Sequence, residues 1–518
     1  MRTFDYVVVG GGTAGCVVAT RLSEEPDVSV LLLEAGGDER RPDVENPGAW
    51  SNLLGTEADW NYETVFQNGP GRVLPAARGR ILGGSGSINC MTHLRGHAFD
   101  YEEWAAQGAT GWDYNGVLPY HKRSEDVPDG DPRYRGVGGP LHPRRSGRPH
   151  PLAQAYVEGA VALGHNRVTD FNAADMVGAG VTDSLIWQGR RESTATAYLR
   201  PAMGRPNLTV ISGATVRRLV IQEGRCTGLD YLGESGPETV SAGEVVLTSG
   251  AVGTPHLLML SGVGPAADLA AVGIEVMHDA PQVGANLQDH IMLTGIRYRA
   301  DKKLVSTGMD GSTLLARINP GAHGPDLHLS AMNFDYHMPW QQPAPNSMTF
   351  GIGHMRPRSR GSVRIVSSDP TVQPAIDPAY VADPWDVDQL IRGIETVDQI
   401  VSTGALGEWG GFSETAELLK LDRAALEAEV RDAVTSYFHL SSTCRMGTDE
   451  GAVVDPELRV RGINGLRVAD ASIQPTAVSC NTNAAAVMIG EKAADLIRGR
   501  SLRSDIELPA VGAAGIPA

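Results

Sequence analysis

One group of residues in this chain has the types and spacing to do chemistry, and a second has the types alone. Near the N-terminus, Gly10-Gly11-Gly12-Thr13-Ala14-Gly15 separates the hydrophobic run at residues 6–9 from an apolar stretch that begins at Cys16, and Glu34 closes a second hydrophobic run. A pyrophosphate needs backbone it can approach and free amides to meet it, which a glycine turn entering a helix supplies. Gly10 permits the tight turn, Gly12 the approach of the phosphate and Gly15 the packing of helix on strand; an acid about 20 residues further on, here Glu34, accepts hydrogen bonds from ribose hydroxyls. On these residues the dinucleotide is NAD or FAD. Near the other end, His439 offers an imidazole, whose ordinary pKa suits removal of a proton. Asn483 offers an amide at an expected helix start, where the field favours negative charge. Taken alone, His439 is one of fourteen histidines, and Asn481 competes with Asn483 two residues earlier.

These residues must be held by recognisable elements. Residues 6–9 and 28–33 read as buried parallel strands and 16–22 as the start of a helix. Further strands are expected at 208–211, 216–221 and 243–248, the last running into Ser249-Gly250-Ala251. After Asp289-His290 the texture changes to short alternating strands, such as 326–329 and 362–365, which predicts a second, sheet-based lobe. Asp383 caps and Pro384 begins a helix striped by Val387, Leu390, Ile391, Ile394, Val397 and Val401, with Gly404 beyond its end. Leu426, Val430 and Val434 stripe another that delivers the chain to Tyr437-Phe438-His439, and a last helix runs from Asn483 to about Arg498.

The chain has 518 residues, a net charge of -17, and hydrophobic and charged fractions of 42% and 20%. Its length implies more than one lobe. The acidic balance opposes nucleic acid or an anionic membrane as partner, since both need a basic field. Arg144, Arg145 and Arg148 lie in a Pro/Gly-rich stretch and read as a solvated loop. Five scattered cysteines without C-x-x-C spacing suggest neither a disulfide framework nor a metal site. No signal segment precedes the first strand and no apolar run reaches the ~18 residues of a membrane helix, so a soluble, cytoplasmic protein is expected.

Longer motifs then carry a resemblance. The segment Gly79-Arg80-Ile81-Leu82-Gly83-Gly84-Ser85-Gly86-Ser87-Ile88-Asn89, followed by Arg95-Gly96, resembles the first signature of the glucose-methanol-choline flavoprotein oxidoreductases. Ser249-Gly250-Ala251-Val252-Gly253-Thr254-Pro255 through Pro265 resembles the second. Val283 to His290, Arg358-Ser359-Arg360-Gly361, Phe438 to Gly447 and Gly465 to Ser472 match in the same order, so the resemblance spans nearly the whole chain.

The resemblance implies an α/β (mixed α+β) fold in which a Rossmann-like FAD-binding domain is interwoven with a substrate domain on an antiparallel sheet with helices. The expected division is 1–150, 181–290 and 441–500 for FAD binding, 151–180 and 291–440 for substrate, and a tail at 501–518. It implies FAD as cofactor. Gly10, Gly12, Thr13, Ala14, Gly15, Glu34 and Ala35 would serve the adenosine diphosphate, with Val216 at the adenine and Trp60 nearby. Arg80, Gly84, Ser85, Asn89, Cys90, Met91 and Ala251 would border pyrophosphate and flavin. Asp470 and Ala471 would serve the ribityl and phosphate region, and Asn481 and Thr482 the flavin edge. Members with covalent flavin carry a histidine where this chain has Ile88, so non-covalent FAD is expected. His439 takes the position of the family's base and Asn483 that of its partner, for oxidation of a primary alcohol to an aldehyde. Arg297, where a cation site would prefer an acid, speaks against choline. Phe334, Trp340 and Phe350, in a chain with 6% aromatics, suggest an aromatic or apolar alcohol. The electron acceptor is oxygen or another molecule, and the protein a monomer or homodimer. A second reading keeps the fold but makes the reaction non-redox or light-driven, as in hydroxynitrile lyases and fatty-acid photodecarboxylases.

Overall fold

The computed structural model describes residues 2–145, 149–305, 311–319, 321–504 and 506. Arg148 and most of the expected tail lie outside these. A seven-stranded sheet organises the first lobe, in the order Leu208–Ile211, Val30–Leu33, Arg2–Val9, Gly236–Leu247, Arg225–Gly233 and Thr215–Gln222, with Leu466–Val468 also paired to Gly236–Leu247. The strands Arg2–Val9, Val30–Leu33, Gly236–Leu247 and Leu466–Val468 run parallel, and Val9 is in register with both Leu33 and Leu247, and Leu247 with Val468. Their ends therefore coincide, and the next residues, Gly10, Glu34, Thr248 and then Ala469-Asp470, gather along one edge. Open parallel sheets bind ligands at this carboxyl edge. Val7, Val8 and Val30 to Leu33 are almost fully buried, as expected for strands covered on both faces. The strand expected at 243–248 is the end of a longer hairpin arm that turns back at Gly233 and Gly236.

Two helices place their N-termini side by side over that edge. Thr13–Leu22 packs against the last helix, Asn483–Ile497, and the contact is close: a Cβ on Gly490 would stand 2.8 Å from the Ala14 carbonyl. The buried Glu491 carboxylate locks the pair, accepting from Arg21, Arg123 and the Tyr198 hydroxyl.

The second lobe is a nine-stranded sheet in the order Phe412–Ser413, Arg297–Arg299, Ser347–His354, Leu327–Met332, Ser312–Ala316, Gly178–Val181 and Arg167–Val168, with Ile291–Leu293 joining Ser347–His354 to Val434–Ser436. All its pairings are antiparallel except the last, Gly178–Val181 with Arg167–Val168. One face carries Leu327, Leu329, Met348, Phe350 and Ile352 into a core shared with the helices Pro151–Ala162, Pro384–Ser402 and Arg423–Ala433. Asp383 caps the second of these through the Trp385 amide. The stretch expected as a solvated loop instead forms a short strand, Arg144–Arg145, paired to Asp183–Ser184. It is held by the Arg144 guanidinium, 5.0 Å over the Trp187 ring.

Candidate active site

A cavity of roughly 800 Å³ runs along the carboxyl edge and ends between the two lobes. Glu34, Ala35 and Val216 line it, together with Gly10, Gly12, Thr13 and Ala14 at the head of the first helix. The Glu34 carboxylate accepts from the Gly11 amide (2.8 Å) and the Gly36 amide (2.7 Å), and burial pushes its pKa up to about 7. Gly12 faces an open cradle: a Cβ there would meet nothing closer than the Thr248 carbonyl at 3.8 Å. Gly84, at φ +55°, lies over it, and a Cβ on Gly84 would stand 2.7 Å from Gly12 Cα. Gly15 does not line the cavity. Its Cβ would fall 1.9 Å from the Gly10 carbonyl, so it serves the packing of helix on turn.

Trp60, Arg80, Ser85, Asn89 and Cys90 continue the lining. The Trp60 ring stacks on Tyr62 at 5.5 Å with Arg80 over its face at 5.2 Å. Met91 is a correction: its amide turns back to Asn89 Oδ1, and its side chain joins a small core with Val17, Leu185 and Val487. Ala251, Asp470, Ala471 and Thr482 line the opposite side. Asp470 is buried and engaged by the Gly250 and Ser472 amides and the Thr254 hydroxyl, and burial raises its pKa. The residues fit a dinucleotide with a further ring system: a ribose-accepting acid at one end, glycine backbone and two helix N-termini in the middle, and a wider chamber beyond.

That chamber holds His439. The preceding Phe438 has φ +61°, and three bonds fix the turn: its amide donates to Ser436 Oγ (2.7 Å), its carbonyl accepts from Arg78 Nη1 (2.7 Å), and the His439 amide donates to Asp289 Oδ1 (2.7 Å). Asp289 also accepts from the Tyr380 hydroxyl (2.6 Å) and Ser436 Oγ (2.5 Å). The His439 ring stacks on Tyr437 with centroids 4.6 Å apart and an angle of 16°. Its Nδ1 is 2.9 Å from His290 Nδ1, and its Nε2 is 3.2 Å from Asn481 Nδ2. Asn481 Nδ2 can only donate, so Nε2 carries the lone pair and the ring proton sits on Nδ1, shared with His290. Burial, with His290 and Arg78 adding to it, holds the His439 pKa well below the ordinary imidazole value, and burial takes His290 to about 3.

The pairing expected from sequence changes here. Asn483 lines the cavity, but its Oδ1 accepts from Thr13 Oγ1 at 3.1 Å, where it joins the two helix N-termini. Asn481, on the loop before the helix, takes the place beside His439. The offset of two residues carries the side chain across the helix boundary. His290, Asp289 and Arg78 lay within or beside the recognised motifs, but only the fold shows them gathered about His439.

The remaining walls come from Trp50, Met292, His328, Ser330, Met332, Tyr336 and Tyr437. None of the three aromatic residues expected there lines the cavity. Phe350 points to the core face of its strand, 5.8 Å from the Tyr156 ring. Trp340 packs under Arg72 at 4.8 Å, and Phe334 stands behind Tyr336, 6.3 Å edge-on. The missed residues had a signal: His328, Ser330 and Met332 alternate with Leu327, Leu329 and Ala331 along one strand. Arg297 is buried away from the cavity in an ion pair with Asp335 (2.7 Å).

Comparison with known proteins gives the family and the fold. Models of the GMC oxidoreductase N- and C-terminal regions match residues 4–292 and 357–490. The chain is 38% identical to the mitochondrial choline dehydrogenase of Homo sapiens, over 98% of this chain and 91% of that one. It is 36% identical to the oxygen-dependent choline dehydrogenase of Photobacterium profundum, over 98% and 95%. The crystal structure of pyridoxine 4-oxidase from Mesorbium loti superimposes with a TM-score of 0.90 at 34% identity, covering 96% of this chain and 99% of that one. The chain belongs to the GMC oxidoreductase family, whose members are FAD-binding flavoproteins, and it is an FAD-dependent alcohol oxidoreductase.

Proposed function

We propose that this GMC oxidoreductase oxidises a primary alcohol with an apolar or aromatic body to the aldehyde, with His439 as the base. The observation that carries the reading is the His439–Asn481 pair, 3.2 Å apart at the end of a groove that begins at Glu34. The unprotonated Nε2 accepts the hydroxyl proton, and Asn481 Nδ2 donates to the oxygen as charge develops on it. His290 holds the ring tautomer through Nδ1, while Asp289 and Arg78 fix the turn that aims the ring. FAD, held from Glu34 to Thr482, supplies the acceptor for the hydride that leaves the adjacent carbon. Ile88 lines the chamber with an aliphatic side chain that offers no nucleophile, so the flavin is held non-covalently and acid precipitation releases it into the supernatant.

The electron acceptor would be oxygen or another molecule, distinguished by peroxide detection against an artificial acceptor. Five unpaired cysteines suit a reducing, cytoplasmic setting, checked by fractionation; light scattering separates monomer from homodimer. Among the described residues no helix is long and apolar enough to cross a membrane. The decisive experiment mixes holoenzyme anaerobically with a panel of alcohols. Flavin absorbance bleaches with the true substrate class, and His439→Ala slows the bleaching by about 10²- to 10⁴-fold with flavin content unchanged. Aldehyde formed while the flavin stays oxidised would refute the reading.

A further inference from the structure

The strand Leu327–Met332 presents two chemistries to the chamber. Met332, with Met292 and Tyr336 beside it, gives soft and flat apolar surface. His328 and Ser330 give polar groups that meet the Tyr437 hydroxyl: His328 Nδ1 lies 3.3 Å from it, His328 Nε2 lies 3.2 Å from Ser330 Oγ, and the two hydroxyls are 3.5 Å apart. Space for this cluster is made on the neighbouring strand, where a Cβ on Gly353 would stand 2.5 Å from the Tyr437 ring. Each contact is longer than the roughly 2.7–3.0 Å that such bonds prefer. One imidazole N–H and two O–H donors thus close loosely on themselves, and the hydroxyl oxygens keep lone pairs to spare. His328 is buried and Ser330 and Tyr437 are half-buried at the chamber wall, so groups bonded this weakly have donors and acceptors to offer a ligand.

The charge of the chamber narrows what that ligand is. Burial lowers the His328 pKa to about 4 and raises that of the Tyr437 hydroxyl, so both are neutral. Among the described lining residues, the carboxylates are already engaged: Glu34 and Asp470 as above, Asp59 by the Gly55, Asn61 and Arg78 amides, and Glu57 by Arg41. A quaternary ammonium therefore finds no free counter-ion there. Tyr437 is stacked on both His328 and His439, with centroids 5.8 and 4.6 Å away and both angles 16°, so the polar cluster and the base share one wall.

We propose that His328, Ser330 and Tyr437 form a second hydrogen-bonding station, and that the substrates are uncharged aromatic alcohols carrying a ring hydroxyl remote from the carbinol. This deepens the reading of the His439 end as the site of alcohol oxidation and rests on it. A phenolic hydroxyl accepts from a Ser330 or Tyr437 O–H and donates to His328, while the ring lies along the methionines and Tyr336.

The test separates binding from turnover. Dissociation constants of holoenzyme for the unreactive probes benzamide, 3-hydroxybenzamide and 4-hydroxybenzamide are measured by calorimetry, beside anaerobic flavin bleaching by benzyl alcohol, its 3- and 4-hydroxy derivatives and choline. At least one hydroxybenzamide binds tenfold or more tighter than benzamide, and Ser330→Ala and Tyr437→Phe each shrink that gap to threefold or less while benzamide affinity stays within threefold. The matching hydroxybenzyl alcohol shows the same gap in kcat/KM. No gap in the wild type, or a gap that survives in both variants, overturns the station. Choline bleaching the flavin faster than every benzylic alcohol overturns the substrate class. If the binding gap holds but no alcohol bleaches the flavin, the station stands and the oxidation reading falls.

Discussion

His439 accepts a proton only when neutral, and its surroundings keep it so: burial first, then His290 and Arg78. A pKa lowered in this way means the ring is charged only at pH values well below 6.5. The kcat/KM for an uncharged alcohol is therefore level from pH 8 down through 6.5, and its acid limb appears below the ordinary imidazole range. A pH profile of the holoenzyme that is already falling at pH 7 would count against His439 as the base. The two asparagines separate by the same reasoning. Asn481→Ala removes the amide beside Nε2 and lowers kcat by about 10²- to 10³-fold, as loss of one oxyanion donor does. Asn483→Ala leaves kcat within tenfold, because its Oδ1 answers to Thr13 rather than to the reacting oxygen. Stopped-flow reduction of both variants decides between them.

Glycine turns show how an element divides its labour. Gly12 and Gly15 belong to one short motif, yet a Cβ meets only ordinary contacts, the Thr248 carbonyl at 3.8 Å, at the first and the Gly10 carbonyl at 1.9 Å at the second. Gly12→Ala therefore keeps the circular dichroism and melting temperature of the apoprotein but lowers the ratio of flavin to protein, since the methyl fills the cradle. Gly15→Ala forces the first helix off its strand and lowers the melting temperature of the apoprotein itself. Equal effects of both substitutions would contradict this division. The motif and Glu34 were legible because spacing along the chain dictates their geometry, and the Gly79 to Asn89 segment through its resemblance to a family signature. Residue type alone could not place Phe350, since a strand sends neighbours to opposite faces and Met348, Phe350 and Ile352 share the core side. The resemblance put Asn483 rather than Asn481 beside His439, and the two side chains diverge where the helix begins.

Across the whole molecule the chain crosses between two cores. The second draws on residues 152–179 and 291–434 with Leu74 besides, while the first takes residues before, between and after, together with Phe171, Met176, Leu315, Val363, Ile365 and Ile376. We take the division of the chain at 150, 180, 290 and 440 to follow these crossings; limited proteolysis checks it. Folding both cores buries a set of neutral histidines: His256 and His328 fall to about 4, His290 to about 3, and burial also lowers His121 and His439. In the unfolded chain each takes a proton near pH 6.5. Towards acid from pH 6.5 the unfolded state thus binds more protons than the fold, and stability drops as pH falls. Glu34 works the other way, because its raised pKa of about 7 lets the fold hold a proton that the unfolded chain lacks until about 4.5. Asp289, Asp470 and Glu102, also raised, act with Glu34, while the low-lying Glu125 and Asp386 carboxylates act with the five histidines, which keep the balance. The melting temperature of the apoprotein accordingly falls steadily from pH 6.5 to 4.5, and a level or rising curve in that window would mean that these histidines charge inside the fold.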